Sequence, residues 1–174
     1  IVELAEKEVK PSDLLTQNSF ENAMMVDLAL GGSTNTTLHL PALAYEAGVD
    51  FGLKDIDRLS REIPQLVDMS PGGPYRMIDL DRAGGVPAIM NRLKKKIHLN
   101  EQTVDGALKG RLGTSEKIIK TLENPIRGSS LVVLRGNLAP DGAVIKTKGL
   151  TKDVYRGIAK VFDGEEEAVA AIDG

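Results

Sequence analysis

The sequence contains no cysteine and no tryptophan, and only two histidines, three phenylalanines and three tyrosines. Without cysteine, these residues cannot form a disulfide framework, provide a thiolate nucleophile or hold a thiolate-bound iron-sulfur cluster. His39 and His98 are too few for a histidine-rich metal site.

Long apolar runs and an excess of one charge are also lacking. The 22 basic and 25 acidic residues are interspersed and give a net charge of -3. This balance argues against a nucleic-acid or membrane partner, and the basic run Arg92 to Lys96 is interpreted as a solvated helix end. No segment resembles a secretory signal or a membrane span, so we expect a cytoplasmic protein.

The 174 residues, 41% of them hydrophobic, are enough to form one globular domain or two small ones. The chain opens with Ile1 rather than methionine and stops at Gly174 directly after a helical pattern. These ends predict an internal fragment of a longer protein.

Helical patterns dominate the first part of the chain. Thr16 is a predicted N-cap for a helix that places Phe20, Met24 and Leu28 on one face and stops at Gly31. Ser33 is the predicted cap of a second helix, which carries Leu38, Ala42 and Tyr45, ends at Gly48, and is expected to kink or restart at Pro41. Further helices are predicted at Leu53–Ile63 with Ile56 and Leu59 inward, at Met77–Ala83 and at Val86–Leu93, with weaker helical patches at Thr103–Leu108 and Ser115–Leu122.

After Pro125 the pattern becomes typical of β-structure. Strands are predicted at Leu131–Leu134 and Ala143–Ile145, joined through Gly136 to Gly142, where Asp141 and Gly142 supply the turn residues. A third strand is predicted at Ile158–Phe162 and a helix through Ile172. The change in character predicts a domain boundary between Leu122 and Ser130.

The segment that joins the first two long helices is the part of the sequence best suited to binding a small ligand. Gly31 and Gly32 precede Ser33, Thr34 and Asn35, and free amides at a helix start can bind a carboxylate or phosphate. The same residues also make an ordinary helix stop and N-cap, so both interpretations stay open. Asp27, within an otherwise apolar helix, needs a polar partner if it is buried.

Several separated motifs resemble the dihydroxy-acid and sugar-acid dehydratase family. They are PSDLLTQNSFENAMMVDLALGGSTNTTLHL at Pro11–Leu40, YRMIDLDRAGGVPAIM at Tyr75–Met90, RGNLAPDGAV at Arg135–Val144 and VFDGEEEAVAAI at Val161–Ile172. The resemblance implies an α/β fold. Residues 1–124 would be the mostly helical, C-terminal portion of an α/β/α N-terminal domain, and residues 125–174 the beginning of a β-barrel-like, swivelling C-terminal domain.

The resemblance also implies an activity for the parent enzyme, namely dehydration of a 2,3-dihydroxy carboxylate to a 2-oxo acid. In that family an iron-sulfur cluster acts on the departing hydroxyl, Mg²⁺ holds the carboxylate end, and a serine takes a proton. We expect those groups outside this chain, so no catalytic, cofactor-binding or metal residue is assigned here and the fragment alone is predicted to be inactive. Ser33, Thr34 and Asn35 are the predicted substrate-proximal residues.

Three functions remain open from the sequence. The first is the dihydroxy-acid branch, which serves branched-chain amino-acid synthesis, and the second is a sugar-acid dehydratase acting on a pentonate or phosphogluconate. The third, from a different class, is a non-catalytic module that binds small anions. For the parent enzyme, a small dihydroxy acid is the expected substrate and a homodimer or higher homo-oligomer the expected assembly.

Overall fold

The computed structural model describes residues 1–104, 106–107 and 117–173. Within these ranges the chain has helices and two small antiparallel sheets, which agrees with the predicted α/β class. The helices are α1 Val2–Glu6, α2 Pro11–Leu14, α3 Gln17–Leu30, α4 Thr36–Glu46, α5 Leu53–Glu62, α6 Met77–Arg82, α7 Gly85–Arg92 and α8 Glu165–Asp173. The strands are β1 Gln102–Thr103, β2 Gly106–Ala107, β3 Leu131–Gly136 and β4 Ala139–Lys146.

Helix α3 is closed at both ends by the residues that the sequence indicated. The Thr16 hydroxyl accepts a hydrogen bond from the Ser19 amide at 3.1 Å, and the Ser19 hydroxyl accepts one from the Thr16 amide at 2.9 Å. At the other end Gly31 adopts φ 119°, a left-handed conformation that glycine reaches without a Cβ penalty. The predicted N-cap and C-terminal stop are both confirmed.

The core forms where α3, α5 and α7 pack together, and strand β3 covers α5. Met24 and Leu28 of α3 are completely buried, as are Ile56 and Leu59 of α5. These last two confirm the predicted inward face. Leu131 of β3, only 1% exposed, belongs to the same cluster, so the helical part and the β3–β4 hairpin share one core.

Helix α4 differs from its prediction in three ways. It begins at Thr36, with Asn35 rather than Ser33 at the N-cap position, and it continues through Pro41 without a restart. Leu38 and Tyr45, two members of its predicted apolar set, are 66% and 82% exposed. No described element packs over these side chains, so the apolar pattern alone does not bury them.

The weak helical patches are wrong where the structure describes them. Instead of a helix at Thr103–Leu108, Gln102–Thr103 pairs with Gly106–Ala107 in an antiparallel hairpin, and Gly106 is a poor helix former. Within Ser115–Leu122, residues 117–122 form turns and an isolated bridge, while 115 and 116, like Leu108, lie outside the described residues.

Strands β3 and β4 pair antiparallel, from Leu131 opposite Lys146 to Gly136 opposite Ala139. Their turn therefore lies at residues 137–138, and the prediction of a turn at Asp141 and Gly142 is wrong. Gly142 has φ 115° where the register shifts, and a Cβ there would lie 2.7 Å from Leu53. The close approach to α5 explains why a glycine stands inside this strand.

The predicted third strand at Ile158–Phe162 is also wrong. These residues have no regular structure, and Ile158 and Val161 are 102% and 87% exposed. A strand needs a neighbour to receive its backbone hydrogen bonds, and no described segment pairs with this one. The final helix, α8, confirms the predicted helix through Ile172 and buries none of its residues.

Candidate functional site

The glycine pair after α3 brings the end of that helix against the first strand of the hairpin. Gly32 has φ 66°, and a Cβ at this position would lie 2.7 Å from Leu131 Cγ and 2.8 Å from the Ser130 hydroxyl. A Cβ at Gly31 would lie 2.9 Å from Gln65 Nε2. Both the backbone conformation and the space therefore require glycine here.

Asp27 holds the segment that follows the glycines. One carboxylate oxygen accepts a hydrogen bond from the Ser33 amide at 3.1 Å, and the other accepts one from the Thr36 hydroxyl at 3.0 Å. Burial raises the pKa of Asp27 above its ordinary range, although these hydrogen bonds and the charge of Lys146 oppose that rise. The acid that the sequence singled out thus ties the end of α3 to the start of α4.

Most amides of the Gly31–Thr36 segment are engaged within the protein. Gly32 donates to the Asp27 carbonyl at 2.8 Å, Asn35 to the Ser33 hydroxyl at 3.3 Å, and Thr36 to the Ser33 carbonyl at 3.1 Å. An anion cradle made of backbone amides would need those same donors. An anion bound beside this segment would consequently depend on side chains.

A cleft of about 440 Å³ opens beside the glycine pair. Ser33 lines it, whereas Thr34 and Asn35 are exposed and lie outside its lining, so the structure separates the three predicted residues. Two cations, Lys146 at the end of β4 and Lys148 two residues after it, also line the cleft. Lys148 forms an ion pair with Asp68, whereas Lys146 forms none within the described part of the chain.

Gln65 forms part of the same wall and was missed from the sequence. It is 2% exposed, its Nε2 donates to the Val67 carbonyl at 2.7 Å, and its Oε1 has no partner among the described residues. A polar residue inside the apolar run IPQLV was the available signal. Lys146 gave no such signal, because only the pairing of β4 with β3 brings it to the cleft.

These residues do not match the ligand set of an iron-sulfur cluster. The chain has no cysteine. In the ranges described above, no three His, Asp or Glu side chains come together as a metal site. Nor does any helix within those ranges have the length and apolar character needed to cross a membrane.

The family models match in two consecutive parts. Residues 1–111 match the model described as dihydroxy-acid/6-phosphogluconate dehydratase N-terminal, and residues 117–174 match its C-terminal counterpart. The chain belongs to the dihydroxy-acid/6-phosphogluconate dehydratase family. The family resemblance predicted from the motifs is thereby confirmed.

Individual relatives agree with this membership in the dehydratase family. The chain is 49% identical to dihydroxy-acid dehydratase 1 of Methanosarcina acetivorans, over 99% of this chain and 33% of that protein. It is 48% identical to a dihydroxy-acid dehydratase of Methanococcus maripaludis and 47% identical to one of Halothermothrix orenii, over 100% and 99% of this chain. The chain spans about a third of the length of these relatives.

Proposed function

We propose that this chain is part of a hydro-lyase that dehydrates a 2,3-dihydroxy carboxylate to a 2-oxo acid. The observation that carries the proposal is the match of both dehydratase family models, in order, along nearly the whole chain. The relatives named dihydroxy-acid dehydratase, at 47–49% identity, support the dihydroxy-acid branch and hence branched-chain amino-acid synthesis. A sugar-acid substrate is the second candidate, because the family description includes 6-phosphogluconate dehydratase.

Within that enzyme the chain would act as scaffold and as part of the substrate wall. Ser33 lines the cleft and is the best placed of the three predicted substrate-proximal residues, because Thr34 and Asn35 are exposed and do not line it. The iron-sulfur cluster would be held by residues outside this chain, since its own side chains supply no thiolate. Mg²⁺ would also be held outside it, since no three His, Asp or Glu side chains come together among the described residues. This chain's contribution would be to bind and orient the substrate.

The architecture and setting of the parent enzyme are part of the same proposal. The β3–β4 hairpin would begin a β-barrel-like C-terminal domain, with the boundary to the N-terminal domain near residue 125. We also propose that the parent enzyme is a cytoplasmic homo-oligomer. A dihydroxy acid would be its small-molecule partner.

A dehydration assay on the complete gene product tests this function. The purified protein is reconstituted anaerobically with iron, sulfide and Mg²⁺ and given 2,3-dihydroxy-3-methylbutanoate, a pentonate or 6-phosphogluconate. We expect 2-oxo acid formation with the highest kcat/KM for the dihydroxy-methyl acid. The 174-residue chain under the same conditions is expected to show no turnover. Absence of dehydration with all three substrates would refute the proposal.

A further inference from the structure

A second cleft, of about 290 Å³, lies at the end of α7. It is formed by that end of the helix together with residues 121–123, and it shares no lining residue with the cleft beside the glycine pair. Among the described residues that line it, only Leu122 is apolar. A lining of this kind suits a small polar ligand and gives little to an alkyl group.

Basic side chains dominate this second cleft. Arg92 lies in the last turn of α7, and Lys94 and Lys95 follow the helix, so the lining holds three positive charges against the single negative charge of Glu123. None of these three cations forms an ion pair within the ranges that the structure describes. One dianion would therefore balance the charge of the cleft.

Arg92 is the side chain best suited to hold an anion there. It is half-buried, and its Nε is buried without a hydrogen-bond partner among the described residues. A buried donor that stays unpaired is unfavourable, and a guanidinium presents its donors in a planar fork that matches the oxygens of a phosphate. The helix dipole favours basic residues at this end of α7, but it does not explain the unpaired Nε.

Glu123 does not occupy these cations. Its carboxylate accepts hydrogen bonds from its own amide and from the Thr121 hydroxyl, which lower its pKa, and the charges of Lys95 and Arg92 lower that pKa further. The Thr121 hydroxyl in turn accepts a hydrogen bond from the Asn124 amide at 3.2 Å. Because the turn itself holds the carboxylate, the donors of the two cations remain available to a ligand.

We propose that this second cleft binds a small oxyanion of the phosphate type. The Arg92 guanidinium and the Lys95 ammonium contact the ligand oxygens, and Lys94 adds positive charge. The site is independent of the proposed dehydratase activity, since it uses none of the residues beside the glycine pair. A ligand held by both α7 and residues 121–123 would stabilise the folded protein at the segment that leads into β3.

Phosphate binding to the unmodified protein gives the first test. The 174-residue chain is titrated with sodium phosphate and with sodium acetate, at an ionic strength kept constant with sodium chloride, while NMR signals are followed. We expect saturable shifts at Arg92, Lys95 and Thr121, with a Kd for phosphate on the order of 1 mM and acetate bound about tenfold more weakly. Shifts that do not saturate, or equal affinities for the two anions, would overturn the proposal.

Matched variants give the second test. Arg92→Gln is expected to weaken phosphate binding about tenfold, whereas Arg82→Gln, at an exposed arginine in the last turn of α6, leaves it unchanged. Lys95→Gln is expected to weaken it about three- to fivefold, with the exposed Lys152→Gln as its control. Lys95 is exposed, so its replacement should not disturb the fold. Unchanged phosphate affinity in Lys95→Gln would contradict the assignment, whether or not Arg92→Gln folds.

The complete gene product separates a free ligand from an acidic side chain of the same protein, which would offer the cleft similar chemistry. Saturable phosphate binding to the complete protein, weakened by Lys95→Gln, would support a ligand site. Absence of phosphate binding to the complete protein would refute it. Neither result depends on whether that protein dehydrates any substrate, so the outcome is distinct from the test of the proposed function.

Discussion

Helices α3 and α4 are joined by one short segment, yet they have opposite relations to the core. In α3, Met24, Leu28 and Ala29 are completely buried, whereas in α4 only Ala44 is buried. Leu43 and Tyr45 of α4 are 54% and 82% exposed. Apolar content alone therefore does not decide which helix is buried; the surrounding elements decide it.

Helix α3 is more buried than α4 because of the contacts that the end of α3 makes. The Ser130 hydroxyl donates to the Leu28 carbonyl at 2.9 Å, and the amides of Leu66 and Val67 donate to the Ala29 carbonyl at 2.8 and 3.1 Å. These bonds tie the end of α3 to the residue directly before β3 and to residues 66–67. Gly32 permits them because its missing side chain leaves room for Leu131.

The largest effect should come from removing a core side chain of α3. Leu28→Ala is expected to lower the free energy of unfolding by about 2–5 kcal/mol, because the cavity forms at a completely buried site. Leu43→Ala makes the same change on α4, where the side chain is 54% exposed, and should cost less than about 1 kcal/mol. Urea unfolding of both variants checks this contrast, and similar losses would contradict it.

The next effect concerns Gly32 and Gly48, which lie before and after α4 and have left-handed backbone conformations. Gly48→Ala, at φ 70° with open space around it, should cost about 1–2 kcal/mol from backbone strain alone. Gly32→Ala, at φ 66°, adds a collision with Leu131 and Ser130 and should cost about 1–3 kcal/mol more. The same unfolding measurement applies, and equal costs would mean that the contact with β3 is unimportant.

The smallest effect concerns the carboxylate that links the two helices. Asp27→Ala should cost about 1–3 kcal/mol, because the Ser33 amide loses its acceptor. Asp27→Asn keeps an acceptor for that amide and removes a half-buried charge, so it should cost less. Stability measurements on both variants at neutral pH test this order.

The pH dependence of Asp27→Asn provides an independent check. Because burial raises the pKa of Asp27 in the folded state, the folded protein binds its proton more tightly than the unfolded chain. This carboxyl therefore lowers stability progressively as the pH rises from about 3.9 through the folded pKa. The stability of Asp27→Asn relative to wild type should increase across that window, and a difference independent of pH would count against a buried Asp27.

Local signals in the sequence predicted local structure well. The Thr16 cap, the Gly31 stop and the inward face of Ile56 and Leu59 depend on neighbours within a few residues. The exposure of α4 and the missing strand at Ile158–Phe162 depend on which distant elements are present to pack or pair. The β3–β4 turn was misplaced because Gly142 serves close packing against α5 instead of a turn.

The sequence also predicted only part of the candidate site. Asp27 stood out as an acid within an otherwise apolar helix, and Ser33 as a polar residue directly after the glycine pair. Gln65 and Lys146 reach the cleft only through the pairing of distant segments, which single-sequence patterns do not specify. These two polar groups of the cleft therefore required the structure.

A double-mutant cycle between Gly32→Ala and Leu131→Ala gives the most direct test of the central claim, which is that position 32 requires glycine because Leu131 of β3 packs against it. If this is so, Gly32→Ala should cost clearly less in the Leu131→Ala background than in the wild type, because the collision with the leucine is gone and only the strain at φ 66° and the contact with the Ser130 hydroxyl remain. Unfolding free energies for the four proteins give the coupling. Strict additivity of the two substitutions would contradict the account.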